Sequence, residues 1–255
     1  MRRFGVLLAA AGAAVLMVGV SAGSAVASQV APGAPTIPHL KSPTASGYAA
    51  VPGPTVAART FTHVQVSFTT PTVICPAPAN GGIAQQRAGL DGISDGTIER
   101  VGIGESCQSG AAPYTAWYQM YPAGAHVLFH PSPGDTVNLS VTFASGVYTF
   151  TVADLTTGKS YSATATCATV CDNSSAQVTA GSPAPAPPPL ADFGTVHFND
   201  IVVTDSAGTS GGLANPNWAT VKLIQTGHPH SVAGPLTTPS APPPPHSSFA
   251  DHWAS

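Results

Sequence analysis

Apolar and polar residues alternate with a period of two along most of the chain from residue 59 onwards, the mark of strands that bury one face. Val64, Val66 and Phe68 alternate with polar neighbours in the segment HVQVSFT. The pattern is cleanest where Val137, Leu139, Val141 and Phe143 in DTVNLSVTF are followed by Ala144-Ser145-Gly146, and then by Tyr148, Phe150 and Val152 in VYTFTVAD. Two alternating runs joined by a short glycine-containing loop predict a β-hairpin. YTAWYQMY, AHVLFH, SYSATATC, GTVHFNDIVV and WATVKLI are further strand candidates, rich in β-branched and aromatic residues and bounded by Gly, Pro, Asn or Asp. No sustained 3.6-residue stripe appears beyond an apolar stretch at the N-terminus, so the prediction is an all-β sandwich without helices.

The two ends and the proline-rich segments set the domain boundaries. Met1-Arg2-Arg3, the apolar run Val6 to Val20 and the small residues Ala25-Val26-Ala27 have the layout of a secretory signal peptide over residues 1–27, with cleavage expected after Ala27. The apolar run is too short and too rich in Ala and Gly to span a membrane. The mature protein is therefore expected to be secreted, soluble and free of the membrane. Residues 28–58 are rich in Pro, Ala, Gly, Ser and Thr without periodicity and read as a disordered leader. Pro183 to Pro189 and Pro242 to Pro245 read as extended connections inside one domain spanning 59–255.

Composition removes several function classes. Charged residues make up only 7% of the 255-residue chain, and 8 Lys plus Arg against 11 Asp plus Glu leave a formal net charge of -3. No basic patch exists to attract phosphates, which excludes nucleic acid as a partner. In an exported chain the four cysteines point to two disulfides; of the three possible connectivities, Cys75 with Cys107 and Cys167 with Cys171 is the expected one. Histidine pairs such as His126 with His130, or His228 with His230, lack cysteine or carboxylate companions and read as surface residues, so no metal or other cofactor is expected. No Gly-x-Ser-x-Gly elbow lies in a strand-to-helix context.

Four blocks carry a family resemblance: GLDGISDGTIERVG from Gly89, YTAWYQMYPAG from Tyr114, PGDTV from Pro133 and PPLADFGTVHF from Pro188. In content and order they resemble the glutamic endopeptidases (eqolisins, peptidase G1), from about Phe61 to the final SFADHW. The resemblance implies a sandwich of two bent antiparallel sheets, concanavalin- or lectin-like in outline, with a cleft for extended substrates. It also implies acid proteolysis by a Glu acting as general base on a water that a Gln helps to hold. At the position of that Glu the chain carries Gln119, and at the position of that Gln it carries Arg100.

An amide accepts no proton, and general acid–base catalysis is worth about 10²–10⁴-fold. Guanidinium donates hydrogen bonds but accepts none. A tryptophan that usually precedes the GLDG block is replaced by Arg87. The resemblance places Asp91 in the cleft floor, although an Asp between glycines also serves as a turn clamp. Trp117, Tyr118 and Tyr121 are candidates for contacting substrate, but aromatics at alternating strand positions also supply core.

Two functions follow. One is a non-catalytic, monomeric relative of the glutamic endopeptidases that binds extended polypeptide or polysaccharide, with Arg87 and Arg100 favouring acidic groups. The other is an active acid endopeptidase in which Glu99 and Gln119 form the catalytic pair with exchanged roles. Adjacent strand residues face opposite ways, so the second requires a bulge near Gly96.

Overall fold

The computed structural model describes residues 37–53, 59–75, 80–93, 96–108, 113–167, 171–183, 189–227, 229–236 and 247–255. The signal peptide, most of Pro183 to Pro189, all of Pro242 to Pro245, and His228 lie outside them. The described residues form strands β1 (His39–Ser42), β2 (Ala45–Val51), β3 (Phe61–Thr69), β4 (Asn80–Asp91), β5 (Ile98–Gln108) and β6 (Tyr114–Met120). There follow β7 (Ala125–Phe129), β8 (Thr136–Ala144), β9 (Val147–Asp154), β10 (Lys159–Thr166), β11 (Ala176–Gly181) and β12 (Thr195–Asp205). The last are β13 (Ser210–Gly211), β14 (Ala219–Gln225), β15 (His230–Ala233) and β16 (Ser247–Ala254). No helix occurs among the described residues.

The strands make two sheets, in the orders β1-β14-β2-β11-β4-β5-β6-β7 and β10-β9-β8-β3-β12-β16-β15, with β13 paired to β12. Pairing is antiparallel except between β1 and β14. The alternation explains the assembly. Val64, Val66 and Phe68 of β3, Val137, Leu139 and Val141 of β8, and Tyr148, Phe150 and Val152 of β9 are all buried. They share one core with Ala84, Ala88 and Leu90 of β4, Val101 and Ile103 of β5, and Ala116 and Met120 of β6. The β8–β9 hairpin turns at Ser145 and Gly146, with φ of 51° and 81°, the backbone that matches strand twist in two-residue loops. Both expected disulfides are present, Cys75–Cys107 and Cys167–Cys171. The former joins residues 32 apart and removes roughly 4 kcal/mol of loop-closure freedom from the unfolded chain.

The leader expected over 28–58 is corrected by the structure, because β1 and β2 fall within it. β2 lies inside the first sheet between β14 and β11, with Tyr48 and Ala50 in the core. Its small residues are what close packing requires: a Cβ on Gly47 would sit 2.3 Å from the Val178 carbonyl oxygen. Composition read as disorder here is a strand too tightly enclosed for large side chains. The domain accordingly begins before residue 59.

Candidate functional site

The site is built by registration of three neighbouring strands. Gly89 of β4 stands opposite Arg100 of β5, and Arg87 opposite Gly102. Arg100 in turn pairs with Gln119 of β6, and Gly102 with Trp117. Val101 and Ile103 enter the core, so alternation turns Arg100, Gly102 and Gly104 to the outer face, together with Arg87, Trp117 and Gln119.

Arg100 Nε donates to Gln119 Oε1 at 2.9 Å, and Gln119 Nε2 donates to the Ala123 carbonyl at 3.1 Å. The guanidinium carbon of Arg100 lies 5.5 Å from the Trp117 ring centroid, within cation–π range. Glycines make this layering possible. A Cβ on Gly102 would come within 2.7 Å of the Trp117 ring, and one on Gly89 within 2.9 Å of the Arg100 Cβ.

Arg87 is 3% exposed and donates to the Thr44 carbonyl at 2.9 Å and the Ser182 carbonyl at 3.2 Å. Burial lowers its pKa to about 9, the Arg100 charge adding to the fall and Asp251 opposing it. Burial also lowers Arg100, to about 10. Both remain cations at neutral and acid pH. They line one groove with Thr44, Gly89, Ile98 and Thr179. The sole salt bridge among the described residues, Arg59 with Asp205, lies elsewhere.

The chain contains two glutamates, Glu99 and Glu105. Both are fully buried on β5 and share the parity of Val101 and Ile103, hence the core face. Glu99 Oε1 lies 3.8 Å from the Cys171 sulfur. The register between β4 and β5 runs without a bulge from Ile83 to Asp91, so no shift brings Glu99 round. An exchanged Glu99/Gln119 pair is therefore ruled out by geometry: the two side chains lie on opposite faces of the sheet.

Of the other expected contact residues, Trp117 lies on the same face beneath Arg100, is only 4% exposed and does not line the groove. Tyr118 does not: it faces the second sheet and stacks on Phe150 at 5.1 Å, the bland alternative for an aromatic strand residue. Tyr121 lies past the end of β6 and is 42% exposed. Arg87 contributes charge rather than an open donor, since buried carbonyls hold its guanidinium.

Asp91 is a turn clamp and not part of the groove floor. It is fully buried at φ 62°, and its carboxylate accepts from the amides of Asn173 at 2.8 Å and Ser174 at 2.5 Å. Asp91→Ala is expected to destabilise the fold by about 3 kcal/mol in urea unfolding, two charge-assisted bonds being lost and two amides orphaned. A loss below about 1 kcal/mol would contradict the clamp. His126 stacks on Tyr118, and His130 pairs with the Tyr114 carbonyl at 2.8 Å. Among the described residues no cluster of His, Cys, Asp or Glu is arranged to hold a metal. Sequence reasoning missed the partners of Arg87, because the main-chain carbonyls of Thr44 and Ser182 lie 43 and 95 residues away and leave no side-chain signature.

The structure resembles solved glutamic peptidases. Scytalido-glutamic peptidase with a transition state analog inhibitor superposes with a TM-score of 0.60 at 19% identity, over 83% of this chain and 98% of that one. SCP-B, an eqolisin in complex with the tripeptide Ala-Ile-His, gives 0.59 at 19% identity over 83% and 98%. Aspergilloglutamic peptidase from Aspergillus niger gives 0.55 at 24% identity over 68% and 99%. These similarities concern the fold. No curated protein sequence matches the chain. The sequence profile of the Peptidase A4 family matches residues 44–243, which takes in β2, β4, β5 and β6 and the segment Pro183 to Pro189. On that match, and on a β-sandwich it shares with scytalido- and aspergilloglutamic peptidases, the chain belongs to the Peptidase A4 family of eqolisin or glutamic peptidases.

Proposed function

We propose that this is a secreted, non-catalytic member of the family that holds an extended polypeptide or glycan along the groove of β4, β5 and β6. The observation that carries the reading is the Arg100–Gln119 hydrogen bond, which joins the two positions that the resemblance assigns to the catalytic pair. Neither group can serve as a base: the amide takes no proton, and Arg100, with a pKa of about 10, is already protonated throughout the acid range. The only two glutamates face the core. Export is supported by the N-terminal leader and by two disulfides, which persist in oxidising compartments.

The test is incubation of the protein, recovered from the culture medium after expression with its leader, with denatured haemoglobin across acid pH. Fragment release is expected to stay at the background of a buffer control, both for the natural chain and for Gln119→Ala. Acid-dependent fragments from the natural chain would overturn the reading, and their persistence in Gln119→Ala would place catalysis outside this groove.

A further inference from the structure

We infer that the groove takes a peptide through a carboxylate, with Arg100 as its anchor; this rests on the binding function just proposed and specifies its ligand. Arg100 is held on two sides. Its Nε is engaged by Gln119, and one face of the guanidinium lies over Trp117. The two terminal nitrogens, Nη1 and Nη2, have no partner within hydrogen-bond distance among the described residues and lie at the groove. A guanidinium fixed in this way presents a two-pronged donor edge that matches the two oxygens of a carboxylate. Because Gln119 and Trp117 already fix the side chain, a ligand binds with little further loss of side-chain freedom.

The rest of the floor selects in the same direction. Gln119 Oε1 accepts from Arg100 and Gln119 Nε2 donates to the Ala123 carbonyl, so both ends of that amide are held in place. Trp117 Nε1 is a buried donor with no acceptor among the described residues. Arg87 adds a second positive charge beneath the same groove, and among the described residues no carboxylate lies within 4.0 Å of either arginine. Asp251, the acid that bears on Arg87, has its pKa raised to about 7 by burial and so is largely uncharged below that pH. The groove is therefore positive, with Arg100 as its open donor.

A peptide suits the groove better than a glycan. Sugars bind against open aromatic faces, yet Trp117 is covered by Arg100 and Tyr118 is turned into the core. The walls instead offer the aliphatic side chains of Ile93, Ile98 and Leu223 beside the hydroxyl-bearing Thr44 and Thr179. The space of about 80 Å³ holds on the order of three waters, enough for a carboxylate group.

A carboxylate can come from a peptide C-terminus or from an Asp or Glu side chain, and four fluorescein-labelled hexapeptides separate the sources. Two are neutral in their side chains, one with a free C-terminal acid and one with a C-terminal amide. The other two are amidated and carry Glu or Gln at one internal position. In anisotropy titrations of the natural protein, the acid of at least one pair is expected to bind 10- to 100-fold more tightly than its neutral match, the span of one bidentate charge-assisted contact. Preference within the first pair assigns the terminus, and preference within the second assigns the side chain.

Arg100→Gln is expected to bring the acid down to the affinity of its neutral match. Arg100→Lys should recover only part, since an ammonium lacks the planar fork. Equal affinity within both pairs, or no binding by any of the four, would overturn the inference without recourse to any variant. Cleavage of the peptides, read by mass spectrometry, would instead overturn the non-catalytic reading.

Discussion

Acid proteolysis is expected to appear when Gln119→Glu and Arg100→Gln are combined, at a rate at least ~10²-fold above that of the natural chain with denatured haemoglobin as substrate. The two positions are register partners on adjacent strands, and their side chains already meet at 2.9 Å. A carboxylate and an amide placed there would share one water between them. Both changes are required. Gln119→Glu alone sets a carboxylate against the Arg100 guanidinium, where the ion pair holds it ionised and well below its ordinary pKa. Such a carboxylate is a poor base, and the single variant should stay near background. Arg87 remains in the double variant as a buried cation beneath the groove. Its charge lowers the pKa of the restored carboxylate and moves any optimum to lower pH. Adding Arg87→Trp would relieve this, but it takes the guanidinium donor from the Ser182 carbonyl at a cost of about 1–3 kcal/mol, while the Thr44 carbonyl keeps its bond from the Ser182 amide. If the double variant keeps the circular dichroism of the natural chain yet releases no more fragments, Arg100 and Gln119 are not the positions that catalysis would use.

How far the sequence disclosed this molecule depends on what each residue packs against. Strict alternation was readable wherever one face met the core and the other met water, as in β3, β8 and β9, whose burial patterns alternate along their length. It was not readable in β2, enclosed on both faces with six of its seven residues buried, because small residues replace the usual contrast. The groove pair could be placed because adjacent strand residues face opposite ways: Arg100 on the outer face forces Glu99 into the core. That inference needs only parity.

Tyr118 and Arg87 were harder, since their roles depend on elements distant in the chain. Phe150 arrives from the second sheet to stack on Tyr118, and the carbonyls of Thr44 and Ser182 arrive from β-strand ends to fix Arg87. Nothing local marks those encounters. Glu105 and Asp251 went unnoticed for a related reason: each is a single acid in an ordinary strand segment, made unusual only by the three-dimensional burial around it.

That burial leads to the other large effect, a fold that weakens as pH rises from about 4 to 7. Asp251 is fully buried; it accepts a hydrogen bond from Ser46, whose hydroxyl meets that of Ser231 at 2.7 Å. Desolvation outweighs the Ser46 bond and the Lys222 charge, and raises its pKa from 3.8 to about 7. Below pH 4 the group is protonated whether the chain is folded or not, and nothing is lost. Between pH 4 and 7 the unfolded chain sheds this proton while the folded chain retains it, so each unit of pH favours unfolding by about 1.4 kcal/mol. Above 7 both states are ionised and the loss levels off at about 4 kcal/mol. Glu105 acts in the same direction: burial pushes its carboxyl well above the ordinary range, outweighing the opposing influence of the neighbouring Gln86 amide. For a domain of this size the Asp251 contribution alone corresponds to a fall in Tm of roughly 10 °C between pH 4 and pH 7. Asp251→Asn removes the titrating proton while keeping the shape, and should flatten that part of the Tm profile; Glu105→Gln should remove a further part. A natural chain whose Tm is level or rises from pH 4 to 7 would show that these carboxyls are ionised within the fold, and that the desolvation assigned to them is relieved by water or by movement of the strands.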